Sequence, residues 1–119
     1  MAIRKTSDIK AYNLAIEIAM DIFELTKSFP NEEKYSLTDQ ILRSSRSVAA
    51  NIAEGWGKRT YPLHFKRQLV DAQGSVEETK TWIALSFQCN YLNSDQFQTN
   101  YSKLNILSTI LNNLLKNWN

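Results

Sequence analysis

The sequence predicts an all-α protein, an antiparallel up-down-up-down four-helix bundle, and three observations carry that expectation. Four segments of roughly twenty residues or more repeat their apolar positions at alternating spacings of three and four. Only three glycines and two prolines interrupt 119 residues, so the elements should be long. The joints are short, and no alternating strand pattern, internal repeat or low-complexity tract occurs. Helices joined in this way bury their faces against their sequence neighbours, in a single domain spanning 1–119.

The first helix is expected over about 8–28. Its stripes are Ala11, Ala15, Ile18, Ile22, Leu25 and Phe29 beside Tyr12, Ile16, Ala19, Phe23 and Thr26, with Lys10, Asn13, Glu17, Glu24 and Lys27 opposite. Ser7 or Asp8 can cap it, and Pro30 ends it because the residue before proline avoids helical angles. The second helix, about 36–57, opens on Ser36 with Asp39 in an acidic variant of the capping box. Its stripe of Leu37, Ile41, Val48 and Ile52 lies among Ser44, Ser45, Ser47, Ala49, Ala50 and Ala53, small residues that let a neighbouring backbone come close. Gly55 or Gly57 can supply a left-handed stop.

Pro62 suits the first turn of a third helix over about 62–89, with Thr60 as cap and Phe65, Leu69, Ala72, Val76, Thr79, Ile83 and Ser86 as its stripe. Gly74 in its middle costs about 1 kcal/mol relative to alanine, which a close helix contact would explain. After a polar turn, Ser94 caps a fourth helix over about 94–118, carrying Phe97, Tyr101, Leu104, Leu111, Leu115 and Trp118, widened by Leu107, Ile110 and Leu114.

Composition and motifs narrow the function classes. Glu17, Asp21 and Glu24 interrupt the one apolar stretch near the start, which reads neither as a signal peptide nor as a membrane span. Cys89 is alone, so no intramolecular disulfide forms and a cytoplasmic setting is expected. His64 is the only histidine, and Tyr61 stands where a Glu-x-x-His di-metal motif needs glutamate. Glu77 and Glu78 are neighbours and point about 100° apart on a helix, so they are no acid pair. No phosphate-cradling glycine loop is present. No catalytic residue, metal or cofactor is expected.

The formal charge is only +2, but its distribution is uneven. Arg43, Arg46, Lys58, Arg59, Lys66 and Arg67 face a single acid, Glu54, in one segment. Lys58, Arg59, His64, Lys66 and Arg67 should gather at one end of the bundle with free N–H groups of the third helix, an arrangement that favours anions such as the phosphates of RNA or DNA. Arg43 and Arg46 would extend this patch; the plainer alternative is a solvated or salt-bridged basic face. Trp56 and Tyr61 flank the loop and can either stack on bases or close the core. The fourth helix is nearly uncharged, as either a subunit interface or a wide core-facing stripe would be.

The run FPNEEKYSLTDQILRSSRSVAANIAEGWGKR, followed by QLVDAQGSVEET, resembles the small proteins encoded in intervening sequences of bacterial 23S ribosomal RNA genes. The matching positions include Phe29, Pro30, Glu33, Tyr35, Gln40, Arg43, Asn51, Glu54, Gly55, Arg59, Gly74, Ser75 and Glu78. Where that family carries a second arginine and an alanine, this chain has Ser44 and Ser45 after Arg43. The resemblance implies a four-helix bundle assembled into a homopentamer. It also implies similarity to the accessory protein of diversity-generating retroelements, which binds nucleic acid and a reverse transcriptase. Asn51, Glu54, Gly55, Gly74 and Ser75 are carried over as structural positions between the second and third helices, and Arg43 is expected to meet either Asp39 one turn away or another chain. Two readings follow: an oligomer that binds nucleic acid, or a scaffold that recruits a protein partner.

Overall fold

Each apolar stripe becomes one helix in the computed structural model, which describes residues 9–118. The helices are α1 (Lys10–Thr26), α2 (Leu37–Gly57), α3 (Pro62–Gln88) and α4 (Ser94–Asn117), with a single 3-10 turn at Asn31–Glu33 and no strand among the described residues. Each helix packs on its neighbours in sequence and α4 closes back on α1, while the backbones of the diagonal pairs stand farther apart. That square arrangement is the antiparallel four-helix bundle, 44 Å along its longest axis.

The core is supplied by all four helices: Ile18 and Ile22, then Ile41, Val48 and Ile52, then Phe65, Leu69, Val76 and Ile83, and finally Leu104, Leu107 and Leu111. Their spacing of three, four and seven is the one that keeps a single face turned inward. These leucines of α4 are thus core, and Ile106 is the large apolar residue that this helix leaves exposed. In α1 the second stripe is buried only at Thr26: Ile16 is exposed, and Tyr12, Ala19 and Phe23 are half-buried. A helix in a square bundle meets only two neighbours, so one stripe fills the core and the next reaches its rim.

Several helix ends differ from the expectation. Ser7 and Asp8 lie outside the described residues, and α1 begins after Ile9 with no side-chain cap. Tyr61, not Thr60, occupies the cap position of α3, and Asn93, not Ser94, caps α4 in a full capping box with Gln96. Neither Gly55 nor Gly57 is left-handed; both remain in α2. The left-handed residue is Asn90 (φ 64°), where Tyr91 N–H returns to Ser86 O and Asn90 N–H to Phe87 O, the double bond pattern of a Schellman stop.

At the start of α2 the capping carboxylate comes from Glu33 of the 3-10 turn. The Ser36 hydroxyl donates to Glu33 Oε1, and the Leu37 N–H lies 3.4 Å from the same oxygen. Tyr91, from the turn between α3 and α4, donates its hydroxyl to Glu33 Oε2 at 2.8 Å while its ring lies 5.4 Å from Phe29. The Ser36 and Tyr91 hydroxyls hold the Glu33 carboxyl below the ordinary carboxylate range. The same bond, with burial, pushes the Tyr91 phenol up to about 12. Between α4 and α1, Lys103 bridges Glu17 (2.9 Å) and Asp21 (2.7 Å).

Gly55, near the end of α2, and Gly74, inside α3, have opposite surroundings. A Cβ on Gly55 would meet Gln68 Cβ at 3.0 Å and Phe65 Cδ1 at 3.2 Å, so α3 approaches α2 closely here. A Cβ on Gly74 would meet nothing within 4 Å, and the residue is exposed. The close contact expected at Gly74 is at Gly55 instead.

Two outcomes follow in urea unfolding. Gly55→Ala is expected to destabilise by about 1–3 kcal/mol through overpacking, whereas Gly74→Ala should stabilise by about 1 kcal/mol by removing a flexible residue from an exposed helix interior. For Glu33→Gln the sign comes from its lowered pKa. A carboxylate of that kind adds stability above its unfolded pKa of about 4.3 and loses it as pH falls through the folded value. The wild type should therefore exceed the variant at neutral pH, and the difference should close as the solution is acidified below about pH 4.

Candidate nucleic-acid interface

The loop between α2 and α3 is short because two helices in intimate contact need only turn back on themselves. A line of small polar side chains runs up their seam. Thr79 Oγ1 sits between Ser44 Oγ (2.9 Å) and the Ser75 carbonyl (2.7 Å), and Ser75 Oγ is 2.9 Å from Ser47 Oγ. Asn51 donates to the Ser47 carbonyl and hydroxyl, and its own Oδ1 accepts from Gln68 Nε2 at 2.8 Å. Gln68 Oε1 in turn accepts from Lys58 Nζ at 2.9 Å. Buried polar groups hold a fold only when they are partnered, and here the chain of bonds ends on the first basic residue of the loop.

That end carries four of the expected basic residues. Lys58 is drawn toward Gln68 and stands 3.4 Å from Glu54, which is itself exposed. Arg59 lies with its guanidinium 4.1 Å over the Trp56 ring and gives one N–H to the Trp56 carbonyl at 2.9 Å. Of its five donors that leaves the rest directed elsewhere. Lys66 and Arg67 follow on the first turns of α3, and with Arg59 they pair with no acid among the described residues.

Arg43 and Arg46 are not part of this cluster. By the helical rise they lie about 22 Å and 18 Å along α2 from Lys58. Arg43 meets Asp39 at 3.1 Å as expected, although both are so exposed that the pair contributes little. Arg46 lines an apolar groove between α1 and α2 with Ile16, Ala19, Met20, Phe23 and Ala49.

The helix terminus offers fewer N–H groups than the sequence suggests. Pro62 has none, and those of His64 and Phe65 both go to the Tyr61 carbonyl. Anion binding here rests on side chains. The two aromatic candidates separate cleanly: Trp56 is 7% exposed and packs edge-on to Trp118 at 6.1 Å, which also meets Phe65 at 4.6 Å, whereas Tyr61 is 66% exposed. Leu63, His64 and Arg67 line a shallow hollow beside it.

Among the structural positions, Asn51 and Ser75 join the seam, Gly55 permits it, Glu54 faces solvent and Gly74 lies on the outer surface of α3. Sequence reasoning misses Gln68, and it sets Trp118 on the apolar stripe of the fourth helix without its partners. Gln68 is detectable as a long polar side chain beside Leu69 on the α2-facing side of α3; nothing local marks Trp118 as a partner of Trp56.

Among the described residues no group of three His, Cys, Asp or Glu is placed to hold a metal, and no helix is long and apolar enough to cross a membrane. The molecule is thus of the small helical-bundle class, with a hydrogen-bonded seam that ends on Lys58. Residues 7–113 match the 23S rRNA-intervening sequence protein family, and the chain belongs to that family. It is similar to a solved crystal structure from Bacteroides thetaiotaomicron, a protein of unknown function from the S23 ribosomal protein family. The identity is 27% and the TM-score 0.81, over 89% of this chain and 98% of that one. No curated protein matches.

Truncating the seam tests its role. Gln68→Ala leaves Asn51 Oδ1 and the Lys58 ammonium without their shared partner, and a loss of about 1–3 kcal/mol is expected in urea unfolding. Gln88→Ala, at the exposed end of the same helix, should change stability by less than about 0.5 kcal/mol.

Proposed function

We propose that the chain is a non-enzymatic, cytoplasmic protein that binds nucleic acid, RNA or DNA, electrostatically at the end where α2 passes into α3, and that it works as a homo-oligomer, the pentamer that its family resemblance implies. One observation carries the reading: Arg59 in the loop and Lys66 and Arg67 on the first turns of α3 form no ion pair with an acid among the described residues. Uncompensated cations at one rigid end are suited to a polyanion, and repetition around an oligomer multiplies a weak individual contact. Cys89, alone and exposed, fits a reducing compartment.

A second reading rests on the α1–α2 groove, whose walls include Ile16 and Met20, 41% and 55% exposed. An apolar strip of that kind suits a protein partner, which would make the chain a scaffold without nucleic-acid binding.

The two readings divide on salt. Titration of a fluorescent single-stranded RNA should show affinity falling about 50-fold between ~50 and ~200 mM salt if four phosphates are neutralised. Lys66→Glu with Arg67→Glu should weaken binding and flatten the log–log salt slope by about 0.7 for each phosphate of a single strand no longer neutralised, while Arg46→Glu should change it little. RNA binding that is absent, or indifferent to both salt and these changes, would leave the scaffold.

A further inference from the structure

We infer that the nucleic acid taken at this end is single-stranded, with Tyr61 as the platform on which an unpaired base stacks. This rests on the nucleic-acid reading and gives it a substrate class. Tyr61 has two-thirds of its surface open to solvent, at a position where the backbone is fully tied down. Its N–H donates to the Lys58 carbonyl at 2.9 Å, and its own carbonyl accepts from His64 and Phe65 at 2.9 and 3.1 Å. The ring is therefore carried on a fixed support rather than a loose loop. His64 meets it edge-on, with centroids 5.8 Å apart and planes inclined by 70°, so at most one face is used within the chain.

The surroundings suit a base with its phosphates. Lys58 and Arg59 precede the ring by three and two residues, and Arg67 lies beyond it, sharing a shallow hollow with the exposed Leu63 and with His64. Both tryptophans near the site are engaged elsewhere, Trp56 beneath the Arg59 guanidinium and Trp118 against Phe65. Duplexes present phosphates to such a surface but keep their bases stacked on one another. Unpaired bases present a π-face, and every base has one, so stacking gives affinity with little sequence preference. A purely electrostatic site would need the arginines and lysines but not an open aromatic ring among them.

The test compares a short labelled oligouridylate with a duplex of equal length at matched salt, on the full chain. Wild type is expected to prefer the single strand although the duplex has the denser charge. Tyr61→Ala should weaken single-strand binding by about 10- to 100-fold, leave duplex binding within about twofold and leave the salt slope unchanged. Tyr61→Phe, which keeps the ring and serves if the alanine variant is poorly folded, should retain wild-type affinity. Equal binding of the oligouridylate by wild type and Tyr61→Ala, with Arg67→Glu still weakening it, would overturn the stacking platform and leave the electrostatic reading standing. A wild-type preference for the duplex would overturn it likewise. Failure of wild type to bind either probe would remove both readings together.

Discussion

Everything at the basic end depends on how closely α3 can lie against α2, and that distance is set at Gly55. With no side chain there, Phe65 and Gln68 come within what would be a Cβ contact of 3.0 to 3.2 Å. The serines at 44, 47 and 75 continue the permission along the seam, since each is small enough to let the backbones approach and polar enough to bond across the gap once they have. An all-alanine seam would pack as closely but would not fix the register, because apolar contacts are non-directional. The Asn51–Gln68 bond does fix it, and Gln68 then holds Lys58 at the point where the chain turns.

The periodic part of this structure is legible in the sequence. Alternating spacings of three and four place all four helices to within about two residues, because burial of one face is a local pattern repeated many times and tolerant of single exceptions. Positions that depend on a single partner far along the chain are not legible. Glu33 caps α2 and is held by Tyr91, fifty-eight residues away, and no spacing rule connects them. Ser36 with Asp39 satisfies the local capping pattern, but Glu33 stands nearer in space and takes the Ser36 hydroxyl. Asn93 displaces Ser94 for a different reason: its partner Gln96 completes the reciprocal pair at the right offset, and the boundary moves by one residue.

The glycines and arginines show the same limit in the candidate site. Gly55 and Gly74 are both helix glycines, yet Gly74 lies on the face of α3 directed away from the core and Gly55 on the face of α2 that meets α3. A family pattern that contains both gives no means of telling which one is needed for packing within the chain. Counting charges along the sequence likewise joins Arg43 and Arg46 to the loop cations, whereas a helix spreads a fifteen-residue interval over about 22 Å. The structure leaves a smaller and better-defined basic end, together with an apolar groove that Arg46 borders.

That smaller end constrains how the protein can work on the proposed reading. A single subunit offers Lys58, Arg59, Lys66 and Arg67, and one of these is already shared with Gln68 and Glu54. Three or four phosphate contacts at physiological salt give at best the micromolar or weaker affinities of non-specific binding. Stacking on Tyr61 adds a contribution that salt does not screen, and repetition of the end around an oligomer adds one that depends on the spacing between sites. These additions differ in what they ask of the ligand: a stack asks for an unpaired base, and repetition asks for a strand long enough to reach the next subunit. A flexible single strand satisfies both at once, since it can unstack at one site and span to another, whereas a stiff duplex could satisfy only the second, and only at spacings that match its own repeat.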